Sequence, residues 1–276
     1  MLAPDEVWLG RCASLFPLVD VVSVTPETTW RGVGLAPNGF ARGFAAIAHG
    51  RGGRRVGHGV GFSLASRDDS ARQERWLAAL ARDHAALPFE WYTEHLGLTV
   101  AAGDDLQIPL PVPHTVATAD RVRRSLDRLA AVFGTVGVEN SAWIVHPGHP
   151  LDEPGWLGDA LGDHHLLLDL HNLYTSSVNL GFEPEAWLAR VPLDRVLEVH
   201  LSGGDEAPAS WTGGRRIRLD SHDHDVPEEV WRLYDAVRPA LTGLRCVTLE
   251  RQEGTVEPGD VPVLADTLRR IRESIA

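Results

Sequence analysis

The chain of 276 residues contains no lysine, so all 26 of its basic residues are arginine. This absence excludes enzymes that need a lysine for covalent or phosphate chemistry, namely Schiff-base aldolases, pyridoxal-phosphate enzymes and proteins with a Walker-type phosphate loop. A GC-rich genome produces the same bias, so the deficit need not reflect function. Histidine, in contrast, occurs 13 times, and its imidazole both binds metals and transfers protons near neutral pH.

Other features in short supply narrow the class further. The chain has only two cysteines, Cys12 and Cys246, too few for a disulfide framework or, unaided, an iron–sulfur cluster. Its formal charge of −12 argues against nucleic acid as a partner. We find neither a secretion signal nor an apolar run of roughly 18 residues, so we expect no membrane contact and a cytoplasmic protein.

Short apolar segments alternate with segments of helical periodicity along the chain. Several short segments are almost continuously apolar, which is typical of parallel strands covered on both faces by helices. We predict strands at 18–24, 55–60, 89–96, 136–140, 165–170, 196–201, 217–220 and 246–250. We predict helices at 66–87, 118–133, 184–191, 227–237 and 261–275. This pattern indicates an α/β fold, a TIM-type (β/α)8 barrel that forms one domain over residues 1–276.

Seven of the eight predicted strands deliver an imidazole or a carboxylate at their carboxyl ends. In a parallel barrel these ends meet at one mouth, where active sites are built. One such residue alone is more often a satisfied core group than a ligand, but the repetition indicates a cluster. Burying these charges uncompensated is costly, and metal ions are the simplest compensation; mixed imidazole and carboxylate ligands suit iron, manganese or zinc. The predicted ligands are His58, His95, Glu139, Asp169, His200, Asp220, His222 and Glu250.

Residues next to these strand ends have more than one conceivable role. Three of them could orient the ligands from behind: Glu94, Asn140 and His224. His171 lies two residues beyond Asp169 and could be a ligand or a substrate contact, so we place it with Asn172 among the candidate catalytic residues. For His114, in a proline-rich loop, and His146, before a Pro-Gly pair, we expect structural or loop roles.

Taken in order, the motifs resemble those of the DUF692 family, the multinuclear non-heme iron-dependent oxidases. The matching segments are 58–64 (HGVGFSL), 93–96 (TEHL), 139–141 (ENS), 167–174 (LLDLHNLY), 178–182 (VNLGF), 198–201 (EVHL), 220–222 (DSH), 230–234 (VWRLY) and 249–251 (LER). The resemblance covers roughly residues 18–252, the core of the predicted domain.

This resemblance implies a barrel holding two or three iron ions in a mixed Fe(II)/Fe(III) state, with O2 as co-substrate. It implies oxidation of a side chain, typically cysteine, in a ribosomally made precursor peptide, often with a partner protein that binds the peptide leader. The bridging carboxylates would be Glu139 and Asp169, and Asn140 and Asn172 would complete the coordination or orient the ligands.

The sequence departs from the family pattern at three positions. After His200-Leu201 the family usually has Ala-Gly-His, whereas this chain has Gly204 in place of the histidine. Gln252 stands where an acidic residue is common, and His171 where most members have asparagine. One lost imidazole and one lost carboxylate could empty one iron position, with His171 as a substitute ligand.

Two other functions remain open from the sequence. One is a sugar isomerase or epimerase of the xylose-isomerase-like barrels, which would use similar strand-end ligands with manganese or magnesium and would not consume oxygen. The other is a degenerate, non-catalytic barrel that serves as a metal-binding scaffold. An abasic-site nuclease shares the architecture, but the charge of −12 disfavours it.

Overall fold

The computed structural model describes residues 6–32, 34–37, 54–67, 70–101 and 104–275. Its centre is a sheet of seven parallel strands, which lie side by side in their order along the chain. These strands are β1 (Val21–Val24), β4 (Arg54–Gly59), β5 (Tyr92–His95), β8 (Val136–Glu139), β9 (His165–Asp169), β10 (Val196–Leu201) and β11 (Cys246–Leu249). The sheet curls into an almost closed barrel, with no pairing between β1 and β11 in the described part of the chain. The predicted α/β barrel is therefore confirmed.

Helices surround the barrel and bury its outer face. They are α1 (Glu6–Arg11), α2 (Ser70–Ala86), α3 (Val116–Phe133), α4 (Glu153–Leu161), α5 (Leu170–Leu180), α6 (Pro184–Leu188), α7 (Ala209–Thr212), α8 (Glu228–Val237) and α9 (Asp260–Ile275). Residues 68 and 69, which precede α2 within the helix predicted at 66–87, lie outside the described residues. The main hydrophobic core lies between this helical layer and the strands. Among the described residues, no helix is both long and apolar enough to cross a membrane.

Two short antiparallel hairpins, which were not predicted from the sequence, lie outside the barrel sheet. Their strands are β2 (Trp30–Arg31) with β3 (Ala36–Pro37), and β6 (Leu98–Ala101) with β7 (Asp104–Leu110). The second hairpin begins directly after β5, so it stands at the carboxyl end of the strands.

The predicted eighth strand at 217–220 does not form, so the described part of the chain contributes seven strands to the barrel instead of the predicted eight. β10 pairs directly with β11, which leaves no place between them for another strand. The backbone groups of the segment are bound elsewhere. Arg218 N–H donates to the side chain of Asn179 on α5 (2.7 Å), and Leu219 N–H donates to the carbonyl of Asp205 (2.8 Å). Residues 202–227 therefore form a long connection at the barrel mouth.

Alternation along the strands sorts their side chains into an inward and an outward set. Val56, Trp91, Leu197 and Cys246 form a small separate cluster at the amino-terminal end of the interior. Two residues beyond Val56, Trp91 and Cys246 the side chains are polar, namely His58, Thr93 and Thr248, whereas on β10, where the register shifts, the polar Glu198 follows Leu197 directly. The barrel interior is therefore apolar at the amino-terminal ends of the strands and polar at their carboxyl ends.

Candidate metal centre

Sheet register brings the predicted strand-end ligands together. His95 pairs with Glu139 across β5 and β8, and His200 pairs with Asp169 across β10 and β9. Because adjacent parallel strands lie about 4.8 Å apart, inward side chains at paired positions are neighbours. Glu139, Asp169 and His200 are buried and His95 is 12% exposed, so the structure brings these strand-end side chains together.

Glu139 lies at the centre of this cluster. Its Oε2 atom is 2.7 Å from His95 Nε2 and 3.2 Å from His58 Nε2, and its Oε1 atom is 3.5 Å from His200 Nδ1. His200 Nδ1 also lies 3.2 Å from Oε1 of Glu250. One carboxylate therefore faces three imidazoles, which is an arrangement suited to bridging two ions.

The ligand atoms fall into four groups, each compact enough for one ion, with atoms no more than 4.8 Å apart. The groups are His58–His95–Glu139, His58–His200–Glu250, Glu139–Asp169–His200–Glu250 and His171–Asp220–His222. The first three share residues, and the fourth stands apart. Overlapping groups are expected of a multinuclear centre, in which neighbouring ions share ligands.

Several nitrogen and oxygen atoms of the cluster that could bind a metal are buried and have no hydrogen-bond partner among the described residues. They are His58 Nε2, Glu139 Oε2, Asp169 Oδ2, Asn172 Oδ1, His200 Nδ1 and His222 Nε2. His58 Nε2 and Glu139 Oε2 are 3.2 Å apart and yet are not aligned for a hydrogen bond. Leaving buried polar atoms unpaired costs about 1–3 kcal/mol each, so their concentration here fits metal ions as the missing partners.

Electrostatics point the same way. Burial favours the neutral form of Glu139, but His95 and His58 outweigh it and hold the pKa of Glu139 well below its usual range. Burial together with the charges of nearby carboxylates, Glu139 first among them, raises the pKa of Asp169 well above normal. For His200, burial lowers the pKa, yet Glu250 and Glu139 raise it well above normal. Without metal ions, protons on imidazoles must balance the carboxylates, and bound cations would release them.

A second layer of side chains fixes the ligand rings. Nδ1 of His58 is 2.9 Å from the Thr93 hydroxyl. Nε2 of His200 is 3.2 Å from Oε1 of Glu198, which leaves Nδ1 of the ring facing the cluster. Glu198 also accepts hydrogen bonds from Trp91 Nε1 (2.7 Å) and the Thr248 hydroxyl (2.6 Å).

A carboxylate behind a histidine ligand sets its tautomer and orientation, so Glu198 acts through His200. Sequence reasoning missed Glu198. The available signal was its position two residues before His200 on one strand, which places both side chains on the same face.

The two asparagines connect the ligand strands. Asn140 donates through Nδ2 to the carbonyl of Asp169 (2.8 Å) and accepts from Asp169 N–H through Oδ1 (2.9 Å). Oδ1 of Asp169 caps α5 by accepting from Asn172 N–H (2.6 Å), which leaves Oδ2 for an ion. Asn172 Nδ2 donates to the carbonyl of Asn140 (3.1 Å), and its Oδ1 atom faces no protein donor among the described residues.

The fourth group lies above the strand ends. His222 Nε2 is 2.7 Å from Asp220 Oδ1, and His171 Nδ1 is 3.3 Å from the same oxygen. Burial lowers the pKa of His222, but Glu250 and Asp220 reverse this and raise it to about 10. His222 has a φ of +52°, in the left-handed region that non-glycine residues seldom occupy. Gln252 N–H, which donates to the His222 carbonyl (2.6 Å), holds it there.

The structure does not bring two of the suggested orienting residues to the cluster. Glu94 points outward, where its carboxylate accepts from the Tyr92 hydroxyl (2.9 Å) and from Phe62 N–H (3.1 Å). His95 faces inward, so its strand neighbour must face outward. His224 is mostly exposed and pairs with Asp223 (2.7 Å).

Gly204 is enclosed so tightly that no side chain fits. A Cβ atom there would lie 2.2 Å from the Leu219 carbonyl oxygen and 3.0 Å from Cε1 of His171. The imidazole of His171 therefore borders the space that a side chain at position 204 would enter. Gln252, the other departure, has an exposed side chain.

Comparison with known proteins agrees with these observations. The chain is similar to a UPF0276 protein of Caulobacter vibrioides, 32% identical over 222 residues that cover 78% of this chain and 72% of the relative. It is also similar to a UPF0276 protein of Bordetella pertussis, 36% identical over 216 residues, 76% of this chain and 71% of the relative.

Solved structures resemble it in fold alone. A xylose isomerase domain-containing protein from Salmonella typhimurium superposes with a TM-score of 0.61 at 15% identity, covering 99% of this chain and 92% of that one. Endonuclease IV from Thermus thermophilus superposes with a TM-score of 0.55 at 20% identity, covering 97% of this chain and 96% of that one.

The sequence profile of the RiPP precursor modification enzymes MbnB/TglH/ChrH matches residues 24–275. The chain belongs to this family, the DUF692 or multinuclear non-heme iron-dependent oxidase family that its motifs resemble.

Proposed function

We propose that the protein is an iron-dependent oxidase that uses O2 to modify a side chain, most simply a cysteine, of a ribosomally made precursor peptide. The observation that carries this proposal is the set of overlapping ligand groups around Glu139, in a chain of the precursor-modification family. Three imidazoles about one carboxylate, with Asp169 and Glu250 beside them, can hold at least two neighbouring ions. Nitrogen and oxygen donors of this kind suit iron.

Each group of this chain then has a definite task. Iron ions bound in the centre would supply the redox chemistry and Lewis acidity that O2-dependent oxidation of a thiol requires. His58, His95 and His200 would hold the ions together with Glu139, the carboxylate that faces all three imidazoles. Glu198 keeps the proton on Nε2 of His200, so that Nδ1 is available as a ligand.

The substrate would enter from the mouth, where the connection 202–227 and α5 meet. His171 and Asn172, on the first turn of α5, present an imidazole and an unpaired amide oxygen near the centre. The peptide would arrive with its leader held by a partner protein, as in the family. The acidic chain offers no basis for binding nucleic acid instead.

We further propose that His171 replaces the imidazole that the family has at position 204. Two observations support this substitution. A side chain at position 204 would press on His171, so the two positions serve one region of space. His171 also completes a compact group with Asp220 and His222. On this proposal the centre keeps its full number of ion positions in spite of Gly204.

The test is metal analysis of protein purified without oxygen, combined with Mössbauer or EPR spectra. We expect two or more irons per chain, and O2 uptake when a cysteine-containing precursor peptide is added. His95→Ala should lose iron and activity while keeping its fold, as followed by circular dichroism. Unchanged iron content in this variant would contradict the assignment of His95 as a metal ligand. Stoichiometric manganese or magnesium with oxygen-independent turnover would favour the isomerase, and absence of bound metal would favour the scaffold.

A further inference from the structure

A second cluster of ligand-type side chains lies at the barrel mouth, built from residues that the centre does not use. His114 precedes α3, His146 lies in the loop after β8, and Glu153 is the first residue of α4. One donor atom from each comes within 4.8 Å of the others. We name these three residues the His114 cluster.

The spacing within the His114 cluster is too wide for hydrogen bonds and suitable for an ion. His114 Nε2 and Glu153 Oε1 are 4.0 Å apart. Bonds from zinc to nitrogen and to carboxylate oxygen are about 2.0–2.2 Å, and tetrahedral ligand atoms then lie about 3.4 Å apart, so binding would draw these two atoms roughly half an ångström closer. Nδ1 of His146 is held against Gly148, 2.9 Å from its carbonyl oxygen, which leaves Nε2 as the free nitrogen. This Nε2 atom is buried and has no hydrogen-bond partner in the described part of the chain.

Surrounding aromatic residues hold the cluster in place. The Trp143 indole donates to Oε1 of Glu153 (2.7 Å), and the Trp187 indole donates to Oε2 (3.2 Å). Each carboxylate oxygen retains a second lone pair for another partner. The His114 ring stacks on Trp156, with ring centroids 4.8 Å apart and planes inclined by 21°. Ligands fixed from behind in this way are typical of built metal sites.

The charge state of the cluster also suits a cation. Burial, reinforced by the nearby His146, lowers the pKa of His114 to about 4, so its imidazole is neutral at neutral pH, which is the form that binds metals. Burial raises the pKa of Glu153 to about 7, against the opposing effect of the hydrogen bonds from Trp143 and Trp187. A divalent ion would supply that charge.

We propose that His114, His146 and Glu153 bind a single divalent ion of the zinc type, separate from the iron centre. Two imidazoles and one carboxylate form the donor set that zinc takes where a coordination position is left for water. The ion would tie the loop after β8 to the start of α4. Because the same loop begins directly after Glu139, the ion would also steady the loop next to the iron centre.

Zinc titration of the untagged, iron-loaded protein tests the proposal without any measurement of turnover. We expect one further equivalent of zinc by calorimetry, with iron content unchanged, and a rise in the thermal midpoint on addition of zinc. His146→Gln should abolish both effects, and His114→Gln should do the same. His149→Asn is the matched control, because His149 is an exposed histidine of the same loop and should leave zinc uptake intact.

The proposal is overturned if the wild type and His146→Gln take up equal amounts of zinc, or if zinc enters only as iron leaves. Circular dichroism and iron content identify any variant that fails to fold. Should His114→Gln unfold because it loses its stacking on Trp156, the loop variant His146→Gln still decides the question.

Discussion

The candidate iron centre combines two kinds of ligand that differ in how the fold fixes them. The strand ligands are His58, His95, Glu139, Asp169, His200 and Glu250, which stand on or directly after barrel strands. The mouth ligands are His171, Asp220 and His222, which stand on α5 and on the connection 202–227. Strand ligands are set by sheet register, and four of their side chains are at most 1% exposed, with His95 at 12% and Glu250 at 10%. Among the mouth ligands, Asp220 is 25% and His222 is 15% exposed, whereas His171 on α5 is fully buried.

This difference indicates which ligand positions of the centre can change their residue without disturbing the sheet. Moving a strand ligand would disturb the pairing of a whole strand, because adjacent strands share their backbone hydrogen bonds. A mouth ligand depends on a few local contacts, such as the bond from Gln252 N–H to the His222 carbonyl. The family motif changes at the mouth, at Gly204 and His171, while the strand ligands keep the pattern.

The most damaging change should be Glu139→Gln, which keeps the shape of the strand ligand and removes its charge. Because Glu139 faces three imidazoles, we expect metal affinity to fall by more than about 100-fold, beyond the ~10–100-fold typical of residues behind a ligand. Iron content after dialysis measures the loss.

Glu94→Gln is the matched control for this variant, since Glu94 is an equally buried glutamate on the outward face of the adjacent strand. Burial and the nearby Glu27 raise the pKa of Glu94 well above normal, so loss of a charge should matter less here than at Glu139, whose pKa is lowered. Equal loss of iron in both variants would contradict the division of β5 into an inward and an outward face.

The second largest effect is expected from Glu198→Gln, which acts through the strand ligand His200. The amide cannot accept from Trp91, Thr248 and His200 as the carboxylate does, so the ring should lose its fixed orientation. We expect iron affinity to fall by about 10–100-fold. Thr248→Ser keeps the hydroxyl donor and should leave the affinity near the wild-type value. A purely structural role would instead lower the thermal midpoint without weakening iron binding in the folded protein.

Asp220→Asn should have a smaller and more local effect, because it alters the mouth ligands alone. We expect the variant to keep the ions of the strand ligands and to lose the ion shared by His171, Asp220 and His222. Mössbauer spectra should then show one iron component reduced and the others unchanged. Uniform loss of all components would mean that strand and mouth ligands form one inseparable unit.

Much of this arrangement could be predicted from the sequence, because period-two alternation and parallel strands place polar strand ends at one mouth. The same parity, applied to Glu94 beside His95, assigns Glu94 to the outer face. The absence of a strand at 217–220 could not be predicted, since it depends on Asn179 and Asp205 capturing its backbone groups from distant segments. The His114 cluster escaped prediction for a related reason, because its members come from three separate connections.

The smallest expected effect concerns pH and one mouth ligand in the metal-free protein. Glu250 and Asp220 outweigh burial and raise the pKa of His222 to about 10, from about 6.5 in an unfolded chain. The folded state therefore holds this proton more tightly, and the resulting stability is complete below about pH 6.5 and is lost as pH rises through about 10. Thermal midpoints of chelator-treated protein should fall over this range, and less steeply in His222→Gln. With iron bound, the ion would replace the proton, and this part of the pH dependence should vanish in the wild type. If the thermal midpoints of metal-free wild type and His222→Gln fall equally steeply with pH, His222 carries no such proton.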